Sequence, residues 1–199
     1  NLSSSSAVSD VYKRKVFKIC KNKKIPVNLE ISLNKKILKI ALKNKPNFIC
    51  LVPENRKEIT TEGGLNISRY KNKLKKIILQ FKKKMIRTSI FIDPNLKDIN
   101  IAKNLKADCI ELHTGKISNL VKQKKSFTHE LAKIKKCCKL AKKNGLEVHA
   151  GHGLDYRTTK ILNKIKEIEE FNIGHFIIGE SIFYGLKDVI KKFKRISNK

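Results

Sequence analysis

The sequence predicts an α/β fold in which short strands alternate with amphipathic helices along one domain. About six segments have the length and apolar content of strands, and none is followed by the glycine-rich turn of a dinucleotide-binding sheet. Such an order gives parallel strands covered by helices, either as a doubly wound sheet or as a barrel. We favour a TIM-type (β/α)8 barrel, here incomplete because about six parallel strands cannot close the usual eight-stranded ring.

The predicted elements rest on an apolar period of two in strands and of about 3.6 in helices. A first helix is predicted at Val11–Cys20, where apolar residues share one face among lysines. The predicted strands are Pro26–Ser32, Phe48–Val52, Ile86–Ile92, Asp108–His113, Leu146–Ala150 and Gly174–Ile178. The remaining predicted helices are Asn34–Lys43, Ile67–Lys83, Leu96–Leu105, Thr128–Lys143, Tyr156–Ile168 and Leu186–Ile196.

The composition is that of one globular domain without a membrane segment. The chain has 199 residues and 40% apolar content, which is enough for one substantial core. No apolar run approaches the roughly 18 residues of a transmembrane helix, and the Ser-rich beginning has no apolar signal-peptide core. The five cysteines form no C-x-x-C pair, which disfavours a disulfide or zinc framework. We therefore expect a soluble, cytoplasmic protein.

The strong positive charge has two interpretations. The formal net charge is +29, which taken alone favours a polyanionic partner such as RNA, DNA or an anionic membrane. Lysine supplies nearly all of the excess and is spread along every predicted helix, whereas arginine and aromatic side chains, which nucleic-acid surfaces use, are few. We favour a solvated lysine surface without a nucleic-acid partner. A basic nucleic-acid-binding protein is the alternative.

Two glutamates in predicted strands are candidates for catalysis. Glu30 and Glu111 each lie between two apolar residues. Because those apolar neighbours should pack outward against helices, both glutamates should face the barrel interior. An interior carboxylate is costly unless it is paired or functional. Catalytic or ligand-binding use is favoured, and a structural ion pair or a wrong strand register are the alternatives.

Three further segments after or within predicted strands have groups that suit a substrate. His152 lies between two glycines, which let the backbone pass close to a ligand and leave the imidazole at the barrel mouth as a possible general acid. The loop Thr60–Gly64 offers hydroxyl and N–H groups to a phosphate. A tight turn and a solvent loop are the alternative interpretations. Gly174 and His175 are weak evidence when taken alone.

Taken together, these motifs resemble those of one family, the pyridoxine 5′-phosphate synthases. They occur in the order and spacing of the family from about Val11 to the end of the chain, and the combination of VPE, TTEGG and AGHGL is highly specific. The matching stretches are Val27–Glu30, Lys45–Phe48, Leu51–Arg56, Thr60–Leu65, Phe91–Asp93, Ile110–Gly115, Ala150–Leu154, Asn172–His175 and Gly185–Lys187.

The resemblance implies a reaction and a set of site residues. The reaction is the condensation of 1-deoxy-D-xylulose 5-phosphate with 3-amino-2-oxopropyl phosphate to pyridoxine 5′-phosphate, phosphate and water, by a homo-oligomer without a metal or redox cofactor. By position, Glu30 matches a general base, His152 a general acid and Glu111 a carboxylate that stabilises a charged intermediate. The matches to substrate contacts are Thr60 for the deoxyxylulose phosphate and Gly153, Gly174 and His175 for the aminoketone phosphate.

The resemblance also implies the domain boundaries. Residues 1–8 are an unmatched, Ser-rich start, and residues 9–199 are a single (β/α) barrel domain that lacks the first two strands of the family barrel. Those strands carry further proton-transfer and phosphate-binding residues in the family. A truncated, non-catalytic remnant is therefore the alternative to an active synthase.

Overall fold

Six parallel strands form one curled sheet in chain order, which confirms the predicted incomplete barrel. The structure is a computed structural model that describes residues 14–22, 24–54 and 63–197. The strands are β1 (Asn28–Ile31), β2 (Phe48–Leu51), β3 (Arg87–Ile92), β4 (Cys109–His113), β5 (Glu147–Gly151) and β6 (Ile168–Asn172). Every neighbouring pair is parallel, and β1 and β6 are the edges of the described sheet.

Helices alternate with these strands. The first helix, α1, is described over residues 14–21. The others are α2 (Lys35–Asn44), α3 (Lys71–Lys82), α4 (Leu96–Asn104), α5 (Gly115–Lys122), α6 (Thr128–Lys143), α7 (Tyr156–Leu162), α8 (His175–Tyr184) and α9 (Leu186–Ser197). Asn34, Asn95 and Asp155 start three of them, since each side chain accepts a hydrogen bond from a first-turn N–H. Among the described residues, no helix is long and apolar enough to cross a membrane.

The main core lies between the sheet and its helices. Outward-facing strand residues such as Ile49, Ile90 and Ile110 have no exposed surface and pack in one large apolar cluster with the helices. Because side chains alternate along a strand, the residues between them face the concave side. That side has a separate and much smaller apolar cluster on and next to β2 and β3. The concave face is therefore left for polar groups.

Aromatic contacts hold the last three helices together. The ring centroid of Tyr156 on α7 lies 4.9 Å from that of Phe176 on α8 and 4.6 Å from that of Phe193 on α9. The centroids of Phe176 and Phe193 lie 5.9 Å apart. The Nζ of Lys192 lies 3.8 Å from the centre of the Tyr156 ring, which is the geometry of a cation–π contact. These contacts fix the start of α8 next to the carboxyl ends of the strands.

Two predictions in the last quarter of the chain are wrong. The segment Gly174–Ile178, predicted as a strand, contains the beginning of α8, and the sixth strand lies earlier, at β6. The helix predicted at Tyr156–Ile168 ends at Leu162. A short apolar run does not distinguish a strand from a helix, and β6 is concealed because two adjacent glutamates interrupt its apolar pattern. Helix α5, which begins directly after β4, has no predicted counterpart.

Replacement of Ile78 by alanine tests the core on the helix side of the sheet. Ile78 on α3 is 1% exposed, whereas the neighbouring Leu79 is 55% exposed. We expect Ile78→Ala to lower the free energy of unfolding by about 2–5 kcal/mol, because the lost carbon atoms leave a cavity. Leu79→Ala is the matched control and should change it by only about 0.5 kcal/mol. Urea unfolding followed by circular dichroism measures both, and equal losses would contradict this packing of α3.

Candidate active site

One cavity on the concave face contains nearly all of the predicted site residues. Its volume is about 520 Å³, and its lining comes from β1, β3, β4, β6, helix α5 and the segments that follow β2, β5 and β6. The predicted site residues that line it are Glu30, Glu111, His152, Gly153, Gly174 and His175. Thr60 lies outside the described residues.

Glu111 is a buried carboxyl group on the concave face of β4, with 4% of its surface exposed. It accepts a hydrogen bond from Nδ2 of Asn172 at 2.8 Å and one from Sγ of Cys50 at 3.3 Å. Burial raises the pKa of Glu111, and the charge of Glu30 raises it further, while the two hydrogen bonds act in the opposite direction. Burial also raises the pKa of Cys50 well above its usual range, so Cys50 is a thiol that donates.

Gly151 makes the space that Glu111 occupies. A β-carbon at this position would lie 1.9 Å from Oε1 of Glu111 and 3.2 Å from Cβ of Asn172. Any larger residue would therefore displace the carboxyl group from its donors. The sequence analysis connected this glycine only with the turn around His152 and missed its role beside Glu111.

Glu30 faces the same cavity but is exposed. In the register of the sheet it pairs with Cys50, whose thiol contacts Glu111, so both glutamates lie on one concave surface. The side chain of Glu30 is exposed in the part of the chain that the structure describes. The predicted inward direction of both glutamates is confirmed, and their burial differs.

His152 follows β5 in a strained backbone conformation. Its φ is 81°, and that of the next residue, Gly153, is 71°. A left-handed φ is uncommon for a residue with a β-carbon, and such strain often occurs at functional sites. The hydroxyl group of Thr114 lies 2.7 Å from the carbonyl oxygens of both Gly151 and His152, which fixes the turn. The turn leaves the imidazole exposed at the cavity.

The amino terminus of α8 also faces the cavity. Gly174 and His175 line the cavity at the start of this helix, where no side-chain cap binds the first-turn N–H groups. Such a terminus favours an anion through its N–H groups and the helix dipole. Asn119 and Lys122 of α5 line the same cavity and add an amide and a cation. The cavity therefore combines carboxyl groups with groups that suit a phosphate.

Comparison with known proteins identifies the family. The family model described as "Pyridoxal phosphate biosynthesis protein PdxJ" matches residues 9–199. The chain belongs to this family. The resemblance carried by the sequence motifs is thereby confirmed.

Curated relatives in the family are named as enzymes. The pyridoxine 5′-phosphate synthase of Pelagibacter ubique (strain HTCC1062) is 70% identical over 184 residues, which are 92% of this chain and 77% of the relative. That of Sulfurihydrogenibium sp. (strain YO3AOP1) is 46% identical over 176 residues, which are 88% of this chain and 72% of the relative. The solved structure of a xylose isomerase domain protein from Planctomyces limnophilus is also similar, with a TM-score of 0.54 and 11% sequence identity. The match covers 87% of this chain and 72% of that protein. This last similarity supports the fold alone.

Sequence analysis missed a hydrogen-bonded pair next to His152 in this member of the PdxJ family. Nδ1 of His113, at the end of β4, lies 3.0 Å from Oδ1 of Asp93, which directly follows β3. The hydrogen bond to His113 lowers the pKa of Asp93, and the backbone N–H of Gly64 lowers it further, against the effect of burial. The sequence did contain a signal for this pair, since Asp93 and His113 are polar residues at the ends of two neighbouring strands. The carboxyl ends of parallel strands meet at one edge of the sheet, so the two side chains could be expected to lie close together.

A second polar cluster lies deeper in the concave face, near the amino ends of β4 and β5. Donor atoms of Cys109, Glu147 and His149 lie within 4.8 Å of one another, close enough to share a metal ion. The guanidinium group of Arg87 already supplies a cation there, since it pairs with Glu147 and donates to Sγ of Cys109 at 3.4 Å. Burial raises the pKa of Cys109 to about 12, which disfavours the thiolate that a metal requires. Ion pairing therefore accounts for the cluster.

Glu111→Gln should make the folded protein more stable at neutral pH. The folded-state pKa of Glu111 is raised, so the folded chain binds more protons than the unfolded chain, and stability falls as pH rises through the titration of this group. Glutamine keeps the shape and an acceptor oxygen for Asn172 without a charge. We expect a gain of about 0.5–2 kcal/mol near pH 7, the usual range for stabilising substitutions.

Urea unfolding between about pH 4 and pH 8 measures this gain, which should shrink towards the acid end as Glu111 protonates. Glu169→Gln removes an exposed carboxylate that pairs with Lys142 and is the matched control. Parallel stability curves for wild type and Glu111→Gln would show that burial does not perturb Glu111.

Proposed function

We propose that the chain acts as a pyridoxine 5′-phosphate synthase that condenses 1-deoxy-D-xylulose 5-phosphate with 3-amino-2-oxopropyl phosphate to pyridoxine 5′-phosphate, phosphate and water. The observation that carries the proposal is that two carboxyl groups, an imidazole and a helix amino terminus line one cavity of about 520 Å³. A cavity of this size suits small phosphorylated molecules. The names of the curated relatives give the same reaction class. No metal or redox cofactor is part of the proposal.

Glu30 and His152 are proposed as the general base and the general acid. Carbinolamine and Schiff-base formation require repeated proton transfers, for which a base and an acid on different parts of the substrate are needed. Glu30 lies on β1 and His152 follows β5, yet both line the same cavity. His152 is also exposed, so it can exchange protons with water between steps.

Glu111 is proposed to stabilise positive charge. Attack of the substrate amine on a ketone leads to a Schiff base, which is cationic when protonated. A carboxylate in a desolvated position interacts with such a cation more strongly than it would in water. A cation bound next to Glu111 would in turn lower the pKa of this residue, so the intermediate itself would favour the charged carboxylate.

The phosphate of the aminoketone is proposed to bind at the start of α8. Gly174 and His175 provide the helix terminus, and Gly153 lines the cavity beside it. Lys122 from α5 is exposed in the same lining and would add a mobile positive charge. Thr60, which the structure does not describe, is proposed to contact the deoxyxylulose phosphate.

Glu30→Gln and His152→Ala test the proposed roles in the complete protein. Each should lower kcat for ring formation by at least about 100-fold, because a general base or acid contributes that much. Binding of at least one phosphorylated substrate, measured by titration calorimetry, should persist, since neither substitution alters the start of α8.

Glu169→Gln and His129→Ala make the same chemical changes at exposed positions outside the cavity and should keep wild-type turnover. Undiminished kcat in both cavity variants would refute the assigned roles. A complete wild-type protein without any turnover would instead favour a non-catalytic remnant.

We further propose a cytoplasmic homo-oligomer in which α8 lies at a contact between copies. Exposed apolar side chains on α8 include Ile178 at 64%, Ile182 at 78% and Phe183 at 80%, and exposed apolar surface of this kind often marks a contact between chains. The five cysteines are free, as is usual in a reducing compartment.

Phe183→Asp should lower the molar mass found by sedimentation equilibrium, because a charge at a desolvated contact is costly. Met85→Asp, at an apolar residue that is 92% exposed before β3, is the matched control and should leave the mass unchanged. The same mass in wild type and Phe183→Asp would rule out this contact.

A further inference from the structure

His152 packs against a mostly buried histidine whose orientation is set by a carboxylate. The ring centroids of His113 and His152 lie 5.1 Å apart, and Phe91 contacts the His113 ring edge-on at 5.3 Å. The side chain of His113 is 11% exposed, and that of its partner Asp93 is 53% exposed. His113 does not line the cavity, so it stands behind His152 and not against the substrate.

The hydrogen bond to Asp93 selects one proton arrangement in His113. A carboxylate only accepts, so Nδ1 of His113 carries the proton. The hydrogen bond to His113 favours the charged form of Asp93, the N–H of Gly64 and the charge of Lys133 act in the same direction, and burial opposes them. Asp98 is the further acidic group nearby: burial raises its pKa, and the charge of Asp93 raises it further. Nε2 of His113 is buried and has no hydrogen-bond partner among the described residues.

Two glycines make this arrangement possible. A β-carbon on Gly115 would lie 2.7 Å from Nε2 of His113 and 3.0 Å from Cδ2 of His152, so the two rings occupy the space that a side chain would take. A β-carbon on Gly64 would lie 2.2 Å from the backbone nitrogen of Asp93. The absence of a side chain at each position therefore leaves room for the pair and for the ring of His152.

We propose that Asp93 and His113 are positioning residues for His152, and that they hold its imidazole in the orientation from which it donates a proton. Proton donation by His152 rests on the proposed function, whereas the ordering of its imidazole ring does not. The left-handed turn fixes the backbone of His152, and ring packing against His113 restricts the rotation of its side chain. His113 acts through His152 and does not touch the substrate.

Gly115→Ala tests the contact kinetically in the complete protein. The new methyl group should displace the rings and lower kcat by roughly 10- to 100-fold, because small misplacements of a catalytic group are costly. KM for either substrate should change by less than about threefold, since binding groups are not moved. Leu79→Ala, at a 55% exposed position of α3 outside the cavity, is the control and should leave kcat unchanged.

Asp93→Asn tests the proton arrangement by a measurement that needs no turnover. The asparagine amide can donate to Nδ1, so the proton of His113 should move to Nε2. Imidazole ¹⁵N–¹H spectra should show His113 protonated at Nδ1 in the wild type and at Nε2 in the variant, with shifted or broadened signals from His152. Asp98→Asn removes a nearby charge without removing the partner of His113 and should leave both sets of signals unchanged.

The two measurements separate this inference from the proposed function. Wild-type kcat in Gly115→Ala, or a wild-type His113 without a proton on Nδ1, would overturn the positioning role. If the complete wild-type protein makes no pyridoxine phosphate, the proposed reaction is wrong. The spectra of His152 in Asp93→Asn then decide alone, because Asp93 reaches this ring only through His113: changed signals support ordering by the pair, and unchanged signals overturn it.

Discussion

The carboxyl group of Glu111 is buried and accepts two hydrogen bonds, and this requirement links the curvature of the sheet to the candidate active site. Glu111 lies on β4, yet its donors Cys50 and Asn172 belong to β2 and β6, two strands away on either side. Neighbouring strands are about 4.8 Å apart, so in a flat sheet these side chains would start from positions roughly 10 Å away. Curvature towards the concave face brings them within hydrogen-bond distance. Because an unsatisfied buried carboxyl group is costly, the curl of the sheet and the position of Glu111 support each other.

The two faces of each strand separate stability from chemistry. Outward-facing residues such as Ile110 form the core with the helices, whereas the residue beside it, Glu111, lines the cavity. Polar side chains in the cavity lining can therefore vary without changing the apolar packing that holds the sheet. The large positive charge belongs to neither face, since most lysines lie on exposed positions of the helices. A charge so placed contributes to solubility more than to recognition at the cavity.

The apolar periodicity of the sequence predicted those strands and helices that have one apolar face and one polar face. Both glutamates were placed on the inner face because their neighbours mark the core side, and the helix Thr128–Lys143 was predicted with its observed bounds. The strand β6 and the helix α8 were not predicted correctly, because β6 contains two adjacent glutamates and α8 buries no residue. The hydrogen bond between Asp93 and His113 joins residues 20 positions apart, and no local period reveals such a contact. The family motifs contain both residues but do not show that they meet.

The two carboxyl groups of the cavity differ in a way that acid–base chemistry can use. Glu111 is buried and accepts hydrogen bonds from two donors, whereas Glu30 is exposed among the described residues. Titratable groups in one site whose environments differ in this way take different roles. Burial raises the pKa of Glu111, and the charge of Glu30 raises it further. A cationic intermediate beside Glu111 would favour the charged form of this carboxyl group, so the charge formed during the proposed reaction would itself act against the effect of burial on Glu111.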